Sequence, residues 1–279
     1  VAGAEEAVDD DALYVLTAVL LTPAQFPSVL GDDYPAACGA LGLEPYAEGY
    51  GLVLGQDADG ARWTVVVDDV SLVAVAIASW DCGMEYDLSP DERSMVAALP
   101  GWPLAVAVAA PNLPSPHDPA PEEGDRPPLA PPDTRRWGPA QRRLGADEIA
   151  LQWAQWREQT GLVGPDGADS AGAQVPSGAA EAGAGTASGG LSEGVRRALG
   201  EARAYTESAP PPGRVRSSFA PGGARTIRAD GPGWSMVART DDIAFVLLDE
   251  EPGEVIPVGR GPELPGLLER LEKVAVHPA

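Results

Sequence analysis

Trp234-Ser-Met-Val-Ala-Arg-Thr-Asp-Asp-Ile-Ala-Phe-Val-Leu-Leu248 is the stretch whose reading decides the fold. Two apolar runs rich in β-branched and aromatic residues flank the acidic pair Asp241-Asp242, so the segment reads as two strands joined by a turn. A short strand (residues 254–258) and a Pro-started helix with Leu264, Leu267, Leu268 and Leu271 on one face follow it. A similar order runs upstream: Trp63-Thr-Val-Val-Val67, the pair Asp68-Asp69, the apolar run 70–78 and a short strand at 85–88. Ser89, Pro90 and Glu92 then predict a capped helix whose apolar face carries Met95, Val96 and Leu99. The expected fold class is therefore α+β: two similar β-β-β-α half-domains, arranged about a pseudo-twofold if the repeat is a duplication. Such hairpin-plus-helix units also recur by chance.

Working outward, the expected organisation is a disordered N-terminus at 1–11 and an N-terminal α/β half at 12–110. A Pro-rich linker at 111–146 follows, then a linker helix at 147–162. A Gly/Ala/Ser-rich disordered linker occupies 163–190 and a C-terminal α/β half 191–279. Within the first half, residues 13–21 read as a buried strand and Thr22-Pro23-Ala24-Gln25 as a capping box. Pro27 limits any helix there to a short turn or a restart at 28–30. A helix at 34–41 ended by Gly42 comes next, then a strand from Tyr50 and a turn at Asp57-Ala58-Asp59-Gly60. Residues 191–206 read as an amphipathic helix, with strands near 214–219 and 225–228 after it.

The net charge of −23 is uneven. Residues 1–110 hold 18 acidic and 2 basic residues, residues 111–190 hold 11 and 6, and residues 191–279 hold 13 and 11. So acidic a first region repels phosphate, which argues against nucleic acid and anionic membrane surfaces and leaves a protein partner as the expectation. The same charge also serves plain solubility. Two cysteines, Cys38 and Cys82, make neither a disulfide framework nor a metal site. No apolar stretch reaches membrane-spanning length and no leader pattern opens the sequence, so a cytoplasmic protein without membrane insertion is expected. A single Lys (Lys273), against eighteen Arg, together with abundant Ala, Gly, Pro and Val, points to a very GC-rich, actinobacterial coding background.

The candidate chemistry is sparse. His117 falls in the Pro-rich stretch and His277 near the end, so neither is expected beside a nucleophile or metal. Asp68-Asp69 and Asp241-Asp242 invite a carboxylate mechanism, but adjacent Asp residues at a hairpin are turn chemistry first. Asp57 to Gly60 begins like a calcium loop without its later acidic ligand. The Gly-rich stretches lack a Walker lysine or a Rossmann context. No catalytic residue, metal or cofactor is expected, and the protein reads as a non-enzyme. Trp153 and Trp156, on the linker helix, are the candidate partner contacts because Trp is enriched at interface hot spots; docking on the protein's own body is the alternative.

Leu20-Leu21-Thr22-Pro23-Ala24-Gln25-Phe26 resembles the strand-then-"LTPxEF" opening of the EspG family, cytosolic chaperones of actinobacterial ESX (type VII) secretion. Ala98-Leu99-Pro100, followed by the apolar run 104–110 and a Pro, is similar to that family's first half. Residues 234–271 resemble its closing hairpin, Pro-containing strand and final helix. The resemblance covers about half the chain and implies a pseudo-twofold, non-catalytic chaperone of secreted helical pairs. The helical segment after the first strand is much reduced here, low-complexity sequence replaces the helices between the halves, and no binding residue carries over. A toxin-neutralising immunity protein with an acidic surface is the alternative class, and a carboxylate-only enzyme the third. Partner identity and oligomeric state have no signature in the sequence.

Overall fold

The computed structural model describes residues 13–71, 93–102, 113–121, 123–130, 133, 135–160 and 191–277. They form a mixed α+β protein with two antiparallel sheets, divided into two compact units. Unit 1 comprises Val1–Val29 and Glu44–Asp133, and unit 2 comprises Leu30–Leu43 and Thr134–Ala279. By sequence, unit 1 holds 21 acidic and 3 basic residues, a net −18, and unit 2 holds 21 and 16, a net −5.

Unit 1 is a four-stranded meander of β1 (Leu13–Leu21), β2 (Tyr50–Asp57), β3 (Arg62–Val67) and β4 (Met95–Pro100), in that order across the sheet. Ala18, Val53 and Val65 lie opposite one another and pack with Val67, Leu20 and Trp63. Leu52, Leu54 and Val66 are buried on the other face. Both faces of β2 and β3 are thus covered, which is why these strands read as continuous apolar runs and not as alternating ones. The β2–β3 turn is made by Asp57, whose Oδ1 accepts from Ala61 N at 2.8 Å, with Gly60 at φ +91.

One expectation fails here. The predicted helix face of Met95, Val96 and Leu99 is strand β4, paired with β3 through Thr64↔Leu99 and Val65↔Ala98. Apolar spacing in so short a run fits either element, and cross-strand pairing decides it. Its predicted cap at Ser89, and the runs 70–78 and 85–88, lie wholly or mostly outside the described residues. The described Pro-rich residues bond to the strands they pass. His117 N donates to Gly60 O at 3.0 Å and accepts Arg62 N on its carbonyl at 2.9 Å, and Leu129 N donates to Pro100 O at 2.8 Å. Gln56 Nε2 reaches Pro114 O at 3.1 Å, and Arg62 pairs with Asp118. The segment is thereby tied to the β2–β3 hairpin and to the end of β4.

Unit 2 is built on a five-stranded meander: β5 (Val215–Phe219), β6 (Arg225–Gly231), β7 (Trp234–Arg239), β8 (Ala244–Leu248) and β9 (Ile256–Val258). Period-2 alternation divides its side chains between two covers. Trp234, Met236, Val246 and Leu248 meet α4 (Glu193–Ala204) and α5 (Leu264–Val274) on one face. Val237, Phe245 and Leu247 meet α2 (Pro139–Leu151) and α3 (Trp153–Gln159) on the other. Leu264, Leu267, Leu268 and Leu271 of α5 are all buried, as their spacing predicts, each contributing about 1.5–3 kcal/mol. The free edge of β5 is partly closed by Val276, which bonds to Val215 and Ser217. In each sheet, the third strand of the meander carries a tryptophan at its start: Trp63 in β3 and Trp234 in β7.

The helix expected at 147–162 begins at Pro139 and is broken at Gln152 into α2 and α3, so 139–146 is not linker. Pro139 fits the first helical turn, where its missing N–H leaves nothing unsatisfied. Helix α1 (Tyr34–Leu41) ends as predicted, with Gly42 left-handed at φ +70, but it belongs to unit 2. Residues 22–25 form a turn closed by Thr22 Oγ1 and Gln25 N at 3.0 Å, and Ser28–Leu30 is a single 3₁₀ turn.

Gly101 follows β4 at φ +78, and a Cβ there would meet the backbone of Leu129 at 2.8 Å. Gly101→Ala is expected to destabilise unit 1 by about 2–4 kcal/mol, read as a lower urea midpoint in the fluorescence of the neighbouring, buried Trp102.

Candidate functional site

Helix α2 buries Ala140, Arg142, Arg143, Ala146 and Ile149, a stripe at helical spacing with two arginines where leucines would ordinarily sit. Arg143 is fully buried and pairs with the fully buried carboxylate of Asp230, the penultimate residue of β6. The same Nη1 donates to the main-chain oxygen of Asp32 at 2.9 Å. Arg142 donates to Asp32 Oδ2 at 2.5 Å, to Asp249 and, through Nε, to Ser235 Oγ at 3.3 Å. Ser235 in turn donates to Asp230 Oδ1 at 2.7 Å.

Asp230 is the hub. Arg216 Nη2 lies 3.4 Å from its carboxylate and Arg228 Nη2 3.8 Å, while Arg228 also pairs with Asp147 of α2. Tyr205 Oη donates to the Asp230 carbonyl at 3.2 Å. At the edge of the cluster, Asp33 caps α1 by accepting from Ala36 N at 2.8 Å and pairs with Arg214. Five arginines (142, 143, 214, 216, 228) thus meet five aspartates (32, 33, 147, 230, 249), and the charges balance.

Burial and the neighbouring Arg228 push the guanidinium pKa of Arg143 well down, and the same two causes act on Arg216. Burial, then the adjacent Asp33, raise the Asp32 carboxyl against the pull of Arg142. Folding stability from Asp32 is therefore fully present below the ordinary carboxylate range and declines as pH rises through its raised value. This charged arrangement can bind and orient: it ties α2, the upstream segment and β6 together by directional, charge-assisted bonds.

The remaining sequence candidates fall elsewhere. Asp241-Asp242 form the β7–β8 turn, as their residue type predicts. Asp242 accepts from Arg157 Nε at 2.8 Å and from Trp153 Nε1 at 3.2 Å, which pins α3 to that turn. Burial opposes its ionisation, but the bonds from Arg157 and Trp153 prevail and hold its carboxyl below the usual range. Asp69 Oδ1 accepts from Ser71 N at 2.9 Å, a local turn bond. Trp153, offered by sequence as a partner contact, is 8% exposed and packs edge-on against Phe245 at 5.2 Å. Trp156 is half-buried in the same cluster. The indole of Trp153 is therefore a core element, and the docking alternative describes it.

His117 is exposed, with Nδ1 3.4 Å from Ser115 O, and His277 is exposed. Cys38 is buried in α1, and burial pushes its thiol pKa up; Cys82 lies outside the described residues. Among the described residues, no group of three or more His, Cys, Asp or Glu side chains converges as metal ligands would. None of their helices is long and apolar enough to cross a membrane. A groove of about 160 Å³ opens between α4 and α5, lined by Leu191, Leu199, Val258, Leu264 and Leu267, with Arg203 and Glu263 paired at 2.8 Å.

Sequence reasoning missed Asp32, Asp33, Arg142, Arg143 and Asp230. The available signal was the spacing Ala140, Arg143, Ala146, Ile149 behind Pro139, which marks a helix face with Arg143 inside it. No protein family, curated protein or solved structure matches the chain.

Removing one partner of a buried pair leaves the other charge uncompensated. Arg143→Met is expected to lose about 3–5 kcal/mol, and Arg143→Met with Asp230→Leu to show a coupling of about 1–3 kcal/mol in urea unfolding. Asp242 contributes stability that is present above the unfolded carboxylate pKa and lost as pH falls through its depressed folded value. Asp242→Asn should therefore lower stability at pH 7 and flatten the decline below about pH 5, measured as urea midpoint against pH.

Proposed function

We propose that this is a non-enzymatic cytosolic binding protein, in its most specific form a chaperone that holds secreted helical proteins of a type VII system. The observation that carries the reading is the closing module of unit 2. A Trp-led hairpin (β7–β8), a short strand with Pro257 at its centre and a leucine-faced final helix follow one another in the order that the EspG resemblance implies. The opening strand β1 followed by the Thr22-Pro23 turn supports it from the other end. The reading includes a common origin for the two sheets, each a meander with a tryptophan at the start of its third strand.

The charge distribution suits such a role. Unit 1, at a net −18, stays soluble and repels nucleic acid while a client is held. That charge also favours a second reading, an immunity protein that covers a basic toxin. Mild affinity purification of the tagged chain from an actinobacterial host, with the recovered proteins identified by mass spectrometry, separates the two. A small helical secreted protein is the expected catch. A strongly basic toxin would replace the first reading with the second, and recovery of neither would sink both.

A further inference from the structure

We draw no further inference here: the strongest candidate, the apolar groove between α4 and α5 lined by Leu191, Leu199, Val258, Leu264 and Leu267, carries nothing because nothing in the structure shows what covers it.

Discussion

The buried pair of Arg143 and Asp230 is the constraint on which unit 2 depends. Both side chains are fully buried, and two charges taken out of water are tolerable only with partners of good geometry. Each further contact in the cluster answers a demand set by that pair. Ser235 supplies a hydroxyl to the second oxygen of Asp230, Arg216 and Arg228 surround it, and Asp147 and Asp249 balance Arg228 and Arg142. Helix α2 is thereby fixed in rotation as well as position, since Arg142 and Arg143, adjacent on its surface, pair with different carboxylates, Asp32 and Asp249 for the one and Asp230 for the other.

Such a cluster adds little net stability over an apolar core of the same volume. Its effect is selective. An apolar face tolerates sliding, because one methyl group serves nearly as well as another. A guanidinium without its carboxylate does not, so arrangements with α2 shifted by a turn are strongly disfavoured. The sheet reflects this division. The α4–α5 face carries Trp234, Met236, Val246 and Leu248 and packs by shape, whereas β5 and β6 present Arg216, Arg228 and Asp230 towards α2. The apolar patch of Val237, Phe245 and Leu247 lies beside the charges and shields them from water.

What was legible in the sequence was local. Strand β1, the stop of α1 at Gly42, the Asp242 turn and the leucine face of α5 each follow from a few adjacent residues obeying one rule. What was hidden depends on distant partners. Met95, Val96 and Leu99 satisfy a helical spacing, but the pairing of β4 with β3 overrides it. Arg142 and Arg143 look like solvated charges until Asp32 and Asp230 are placed beside them. Trp153 reads as a candidate contact because nothing nearby in sequence announces Phe245 and Asp242 as its neighbours. Charge counting was misleading in the same way. The near-balance of unit 2 arises from arginines used internally, not from a mixed surface alone.

The placement of Leu30–Leu43 has a consequence for how unit 2 is completed. Arg142 and Arg214 find Asp32 and Asp33 across 110 and 181 residues of chain. The entropy of closing such loops rises only slowly with length, so the separation is tolerable at equilibrium. It matters kinetically, because non-local contacts are rewarded only after the loop has been closed. The β5–β9 meander with α4 and α5 consists of neighbours in sequence and needs none of the upstream residues. Local contacts of this kind close the shortest loops, so the sheet and its helical cover are expected to form ahead of the long-range contacts that bring in α2 and the acid-capped segment.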